Sequence, residues 1–223
     1  MGKTRYPTGA RPLLIEETAR RRRIEARFVE LLERAGFAEV ILPIIDFAEP
    51  YAGITGREAA KQSYRFTDRE GELVSIRSDF TPMLARALAP SLGELPLRVF
   101  YRGDVIRCEA SRLGANRELF QIGAEIIGDA SIEADVAMLQ LAASLVADPL
   151  VVYANARATI DDPRFVLHDD EEDPSYYTGL RFWVYGADRR RAIARGGRYD
   201  SLYERFGAAA PAIGFTFTID DLE

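Results

Sequence analysis

The chain has 223 residues, 48% of them hydrophobic and 29% charged, with a formal net charge of −6; this suits one large globular domain that buries its own core, and it gives no field for long stretches of nucleic acid. A single cysteine, Cys108, excludes an intrachain disulfide, and a single histidine, His168, excludes His-rich zinc sites and weakens any Ser-His scheme, so no metal is expected and a reducing cytoplasm is the expected compartment. No apolar run approaches the roughly 20 residues of a membrane span, and the N-terminus lacks the apolar core of a secretory signal.

Residues 16–35 read as an amphipathic helix with Ile24, Phe28, Leu31, Leu32 and Ala35 on one stripe, ended by Gly36. The basic run at residues 20–23 lies inside it and reads as a solvated helix face rather than an RNA contact. Residues 40–43 predict a short strand that Pro43 confines to an edge. After a polar stretch from residue 58, the turn at 68–71 separates residues 64–67 from 73–77 and predicts a hairpin. Ser78 or Asp79 opens a helix that buries Met83, Leu84, Ala87 and Leu88.

Two strands follow, over residues 98–107 and 119–128, joined by a polar loop. In the second, Gln121, Gly123 and Glu125 share one face while Phe120, Ile122, Ala124 and Ile126 share the other, because side chains alternate at period two. Two hydrogen-bonding side chains flanking a glycine are what a strand shows when a small polar ligand lies across it; an ordinary half-exposed strand shows the same pattern, so the rest of the chain must decide. A helix over residues 132–146 follows a cap at Ser131, with Glu133 and Asp135 in its first turn. Strands are expected at 150–153 and over the aromatic run 176–185. Between them the acidic residues 161–173 read as a surface loop solvated by its charge. Gly196 and Gly197 form a tight glycine pair, a short helix follows, and Phe215, Phe217 and Ile219 alternate along the stretch 212–219. Sequential strands with few strand-helix-strand units predict an α+β domain with a largely antiparallel sheet.

Five stretches in order, Arg77-Ser-Asp-Phe-Thr81, Arg107-Cys-Glu109 with Phe120-Gln-Ile-Gly-Ala-Glu125, Tyr176-Tyr177, Gly196-Gly-Arg-Tyr-Asp200 and Pro211-Ala-Ile-Gly-Phe215, together resemble the catalytic core of histidyl-tRNA synthetase. The resemblance covers nearly the whole chain and implies a class II aminoacyl-tRNA synthetase-like antiparallel sheet flanked by helices. It implies one domain over residues 1–223, with no anticodon-binding domain and a shortened insertion near 147–175. Residues 31–53 look like the first class II motif, the dimer interface of that family.

Departures from the pattern shape the functional expectation. Where the synthetases carry Arg-Gly-Leu-Asp-Tyr-Tyr, this chain reads Glu172-Asp-Pro-Ser-Tyr-Tyr177, and where their third motif ends in Glu-Arg-Leu it reads Asp220-Asp-Leu222. A cation about 4 Å from a phosphate is worth on the order of 4 kcal/mol at an effective dielectric of 20, so losing two should remove many powers of ten from adenylate formation. The chain is not expected to charge tRNA. The amino-acid half survives: by the resemblance Asp79, Thr81 and Gln121 approach a ligand's amino group, Glu125 with Tyr176 or Tyr177 surrounds an imidazole, and Arg107 meets a carboxylate or phosphate. That combination resembles the regulatory subunit of ATP phosphoribosyltransferase. The resemblance implies partnership with the short-form catalytic subunit, feedback by histidine in histidine biosynthesis, self-association as a dimer, and no catalytic residue or cofactor of its own. Two alternatives stay open: a synthetase-like enzyme that activates an amino acid for another purpose, which Arg107 and Glu109 favour and Glu172 and Asp221 oppose, and a scaffold module with a vestigial pocket.

Overall fold

A computed structural model describes residues 5–54, 63–108, 116–168 and 176–222. Helix α1 (Ile15–Arg34) buries Phe28 and Leu32 and packs Ile24, Leu31 and Ala35 partly against the same core. Gly36 adopts φ +82°, the left-handed conformation that glycine takes without strain. The amide of Gly36 donates to Glu33 O at 2.9 Å and that of Phe37 to Leu32 O at 3.0 Å, which closes the helix as a Schellman motif over the buried Leu32–Phe37 pair.

Beyond α1 come β1 (Ala38–Glu39), β2 (Ile45–Phe47), β3 (Arg65–Thr67) and β4 (Leu73–Ile76), then helix α2 (Thr81–Leu88). Next are β5 (Leu97–Ile106), β6 (Glu118–Ile127), helix α3 (Ile132–Ser144), β7 (Leu150–Ala154), β8 (Phe165–Leu167), β9 (Arg181–Tyr185), β10 (Ala192–Arg198) and β11 (Ala212–Thr218). The main sheet runs β1-β5-β6-β11-β10-β9-β7-β8, antiparallel except for the parallel edge pairs β1/β5 and β7/β8. A small antiparallel sheet, β2-β4-β3, stands apart from it. The expected α+β class and antiparallel sheet are both present.

One face of the main sheet is apolar. Ile122 and Ala124 of β6, Phe215 and Phe217 of β11 and Phe182 of β9 meet α1 and α3 in one core. The opposite face is covered at one end by α2, where Phe80, Leu84, Tyr101 and Tyr203 form a second core. Elsewhere that face is polar and open.

Several boundaries differ from expectation for identifiable reasons. Residues 40–43 are not a strand: pairing with β5 is confined to Ala38 and Glu39, and the carbonyls of Leu42 and Pro43 turn to accept from Arg77 at 2.9 and 3.2 Å. Helix α2 begins at Thr81 because Asp79 Oδ1 accepts the Thr81 amide at 3.2 Å instead of joining the helix. The aromatic run is a strand only from Arg181, since Tyr176 and Tyr177 turn toward the open face. Gly196 and Gly197 lie within β10. Part of the acidic stretch forms β8 in parallel register with β7. Glu109, Glu172, residues 58–62 of the polar stretch and residues 169–173 of the acidic stretch lie outside the described residues.

Candidate functional site

The open face forms a cleft of about 940 Å³, within the range of small-molecule sites. Its floor follows from strand register, since directly paired residues share a face. Tyr101, Gly123, Thr216 and Arg195 fall in one row across β5, β6, β11 and β10. Glu125, Gly214 and Gly197 fall in the next, and Gln121 pairs with Thr218 on the other side. Asp79, Thr81, Arg107, Gln121, Tyr176 and Tyr177 all line the cleft. Six of the seven expected ligand residues therefore come together there.

The seventh, Glu125, lies just beneath the floor and is fully buried. Its Oε1 accepts from the Thr81 hydroxyl at 3.0 Å and the Tyr101 hydroxyl at 3.2 Å. Its Oε2 lies where a Cβ on Gly214 would come within 2.2 Å, and it has no hydrogen-bond partner among the described residues. Burial pushes this carboxyl up to about 8, with the Asp79 charge adding to the rise and the Thr81 and Tyr101 hydrogen bonds opposing it. Burial likewise raises the Asp79 carboxyl, against the Thr81 amide and the Arg107 charge. Two raised acids on one wall suit a ligand that brings hydrogen-bond donors or positive charge.

The aromatic wall is tightly built. Tyr176 and Tyr177 rings lie 5.0 Å apart, Tyr199 meets Tyr176 edge to face at 5.7 Å, and the Tyr177 ring occupies the space over Gly197. The buried Tyr199 hydroxyl has no partner among the described residues. Buried polar atoms seldom go unpaired, so Glu125 Oε2 and the Tyr199 hydroxyl, one on each side, mark a place prepared for a polar guest.

Gly123 does not bring a ligand to the backbone as expected. A Cβ there would stand 2.4 Å from the Tyr101 hydroxyl oxygen, so this glycine makes room for the phenol that holds Glu125. Tyr101, Tyr199, Thr216 and Arg195 were not anticipated as site residues. Tyr101 and Thr216, hydroxyl to hydroxyl at 2.6 Å, are joined by register across three strands, which a single sequence does not reveal. Tyr199 was visible within Gly196-Gly-Arg-Tyr-Asp200, but only as part of a motif.

At the outer end, Arg191 pairs with Asp221 at 2.9 Å and Arg21 with Asp220, whose other oxygen accepts the Phe120 amide at 2.8 Å. The position that the third-motif resemblance gives to an ATP-clamping arginine thus carries a carboxylate already tied to a cation. Among the described residues there is no group of three or more His, Cys, Asp or Glu side chains suited to a metal, and no helix long and apolar enough to cross a membrane.

An antiparallel sheet with α1 and α3 on one face and a polar cleft beside α2 on the other is the core of a class II aminoacyl-tRNA synthetase fold. A histidyl-tRNA synthetase family model matches residues 9–160 and 169–222, and the chain belongs to that family. It is 26% identical over 306 positions to a histidine–tRNA ligase of Methanocaldococcus jannaschii, covering 96% of this chain and 74% of that one. To an ATP phosphoribosyltransferase regulatory subunit of Geobacter sulfurreducens it is 26% identical over 310 positions, covering 96% and 71%. Both alignments run longer than the 223 residues of the chain, so the relatives carry segments that this chain lacks. The crystal structure of an ATP phosphoribosyltransferase regulatory subunit/histidyl-tRNA synthetase from Bacillus halodurans superposes with a TM-score of 0.84 at 20% identity, over 100% of this chain and 83% of that one.

Proposed function

We propose that this chain is a non-catalytic regulatory subunit that binds and activates a short-form ATP phosphoribosyltransferase and conveys inhibition when histidine occupies the cleft. The observation that carries the reading is Asp221, an anion already paired with Arg191 where the family pattern has a phosphate-binding arginine. Glu172, where the other expected arginine would stand, argues the same way from sequence. The amino-acid end supports ligand binding, with Thr81, Gln121, the tyrosines and the half-satisfied Glu125 in place. A relative named as a regulatory subunit along 96% of the chain supports the partner. A protein with a ligand cleft and with carboxylates where the family pattern has phosphate-binding arginines acts on another's chemistry by binding its conformational states unequally.

Mixing the purified chain with the short-form enzyme tests this: activity should rise, and histidine should lower it with a coupling of about 1 to 3 kcal/mol. Glu125→Ala and Gln121→Ala should blunt the inhibition. Failure of the two proteins to associate or to alter activity overturns the reading, and full inhibition in both variants moves histidine to another site. The amino-acid-activating alternative is favoured by one observation, the retained Arg107 in the cleft. Histidine-dependent pyrophosphate exchange separates the two, and none above background is expected from the isolated chain. The same reading has the chain self-associate as a dimer.

A further inference from the structure

The cations around the cleft are not equally available. Arg11 pairs with Glu17 at 2.7 Å, Arg191 with Asp221 at 2.9 Å and Arg21 with Asp220. Arg20 donates to the Leu222 carbonyl at 2.9 Å, and the Arg107 charge acts on Asp79. Arg107 and Arg195 form no hydrogen bond or ion pair to a carboxylate or carbonyl among the described residues, but the Arg107 charge is set against Asp79, whereas that of Arg195 acts only on the Tyr177 phenol of the aromatic wall. Arg195 springs from the floor itself, on β10, in register with Thr216 of β11, which is in turn in register with Gly123 of β6. Strands lie about 4.8 Å apart, so Arg195 stands about 10 Å along the floor from the middle of β6. A solvent-exposed arginine on the floor and a buried carboxyl with an unpaired oxygen beneath it border the same cleft.

We infer that Arg195 is the carboxylate-binding residue of this cleft. The ligand class is a free amino acid with an N–H-bearing side chain: the side-chain N–H lies toward Glu125, the α-ammonium toward Asp79 and Thr81, and the carboxylate on the same carbon as the ammonium meets the guanidinium. Arg195 suits this role because its fork of donors accepts a carboxylate with two parallel hydrogen bonds, and because no internal acid competes for it. The inference rests on reading the cleft as an amino-acid site. An arginine that merely solvates the surface would show no preference between ligands with and without a carboxylate.

Calorimetry on the full chain compares L-histidine with histamine, which keeps the imidazole and amine and lacks the carboxylate, for the wild type, Arg195→Ala and Arg195→Lys. Arg195 is solvent-exposed, so unchanged thermal unfolding should accompany both substitutions. Arg195→Ala should weaken L-histidine binding at least tenfold while leaving histamine binding within threefold of wild type, and Arg195→Lys should fall between. L-histidine affinity within threefold of wild type in Arg195→Ala, or equal loss of both ligands, overturns the inference and leaves the amino-acid reading standing. Absence of L-histidine binding to the wild type overturns the amino-acid reading and this inference with it. Loss of ATP or pyrophosphate binding in Arg195→Ala, with histidine unaffected, assigns the subsite to phosphate and overturns the carboxylate.

Discussion

Glu125 carries an electrostatic cost in the site, since its ionised form gains two hydroxyl donors and loses all contact with water. Its carboxyl rises from an ordinary value near 4.5 to about 8. A carboxyl raised on folding contributes stability that is fully present below the unfolded value and is lost as pH climbs toward 8. The free protein should therefore lose stability between about pH 4.5 and 8 on this account, and Glu125→Gln should remove the loss. At 1.36 kcal/mol per unit, the variant should exceed wild type by on the order of a few kcal/mol at pH 9 and match it near pH 5; thermal unfolding at the two pH values checks this. A ligand that donates to Oε2 favours the carboxylate, so its affinity should rise with pH up to about 8. Gly123→Ala tests the neighbouring packing. A Cβ 2.4 Å from the Tyr101 hydroxyl must push that ring aside, so the variant should unfold at lower denaturant by about 1–3 kcal/mol and bind histidine less well.

The helix α3 and strand β10 are joined by buried charge. Arg198 is 3% exposed and holds Asp135 of α3 at 2.6 Å, along with the Asp129 carbonyl at 3.0 Å, while Arg157 reaches the other Asp135 oxygen at 2.7 Å. Removing one partner of such a pair leaves a buried charge uncompensated, so Arg198→Met should cost about 3–5 kcal/mol in chemical denaturation. Reading Asp135 as a charge in the first turn of a helix placed it correctly and understated it, because its partner lies 63 residues away. The same limit runs through the chain. Helix α1, the hairpin of β3 and β4, the cap at Ser131 and the alternating β6 and β11 were legible because each is written in local periodicity and capping chemistry. The two-residue β1, the three-residue β8 and the early turn of Tyr176 were not, because each is fixed by a neighbouring strand or by the Gly197 gap. The family motifs located six cleft residues, whereas Tyr101, Thr216 and Arg195 required register.

The apolar stripe of α1, expected to serve self-association, is consumed by the chain's own core. Exposed apolar side chains gather on and beside the small sheet: Ile41 is 86% exposed, and Ile45, Phe47, Phe66 and Leu73 between 41% and 52%. In register, Phe47, Val74 and Phe66 share one face with Ile45. A contiguous apolar face of this kind suits an interaction surface, and Ile41, Ile45 and Phe47 fall within residues 31–53, where the family resemblance puts the dimer contact. Light scattering should report a dimer at micromolar concentration, and Phe47→Asp with Ile45→Asp should convert it to a monomer that keeps its thermal transition. A wild-type monomer would remove this surface from the account.

Strand β11 sits between β6 and β10 in the sheet although it is the last strand in chain order. Without it, the other strands of the main sheet form two partial sheets, β1-β5-β6 and β10-β9-β7-β8, each with an open inner edge. During synthesis both edges stay unpaired until residues 212–218 emerge, so the molecule closes in a late, long-range step in the manner of slow-folding, high-contact-order sheets. Until then its nascent form is exposed to mispairing with other chains, and the two rows of floor residues that face the cleft come into alignment only when that final strand is inserted.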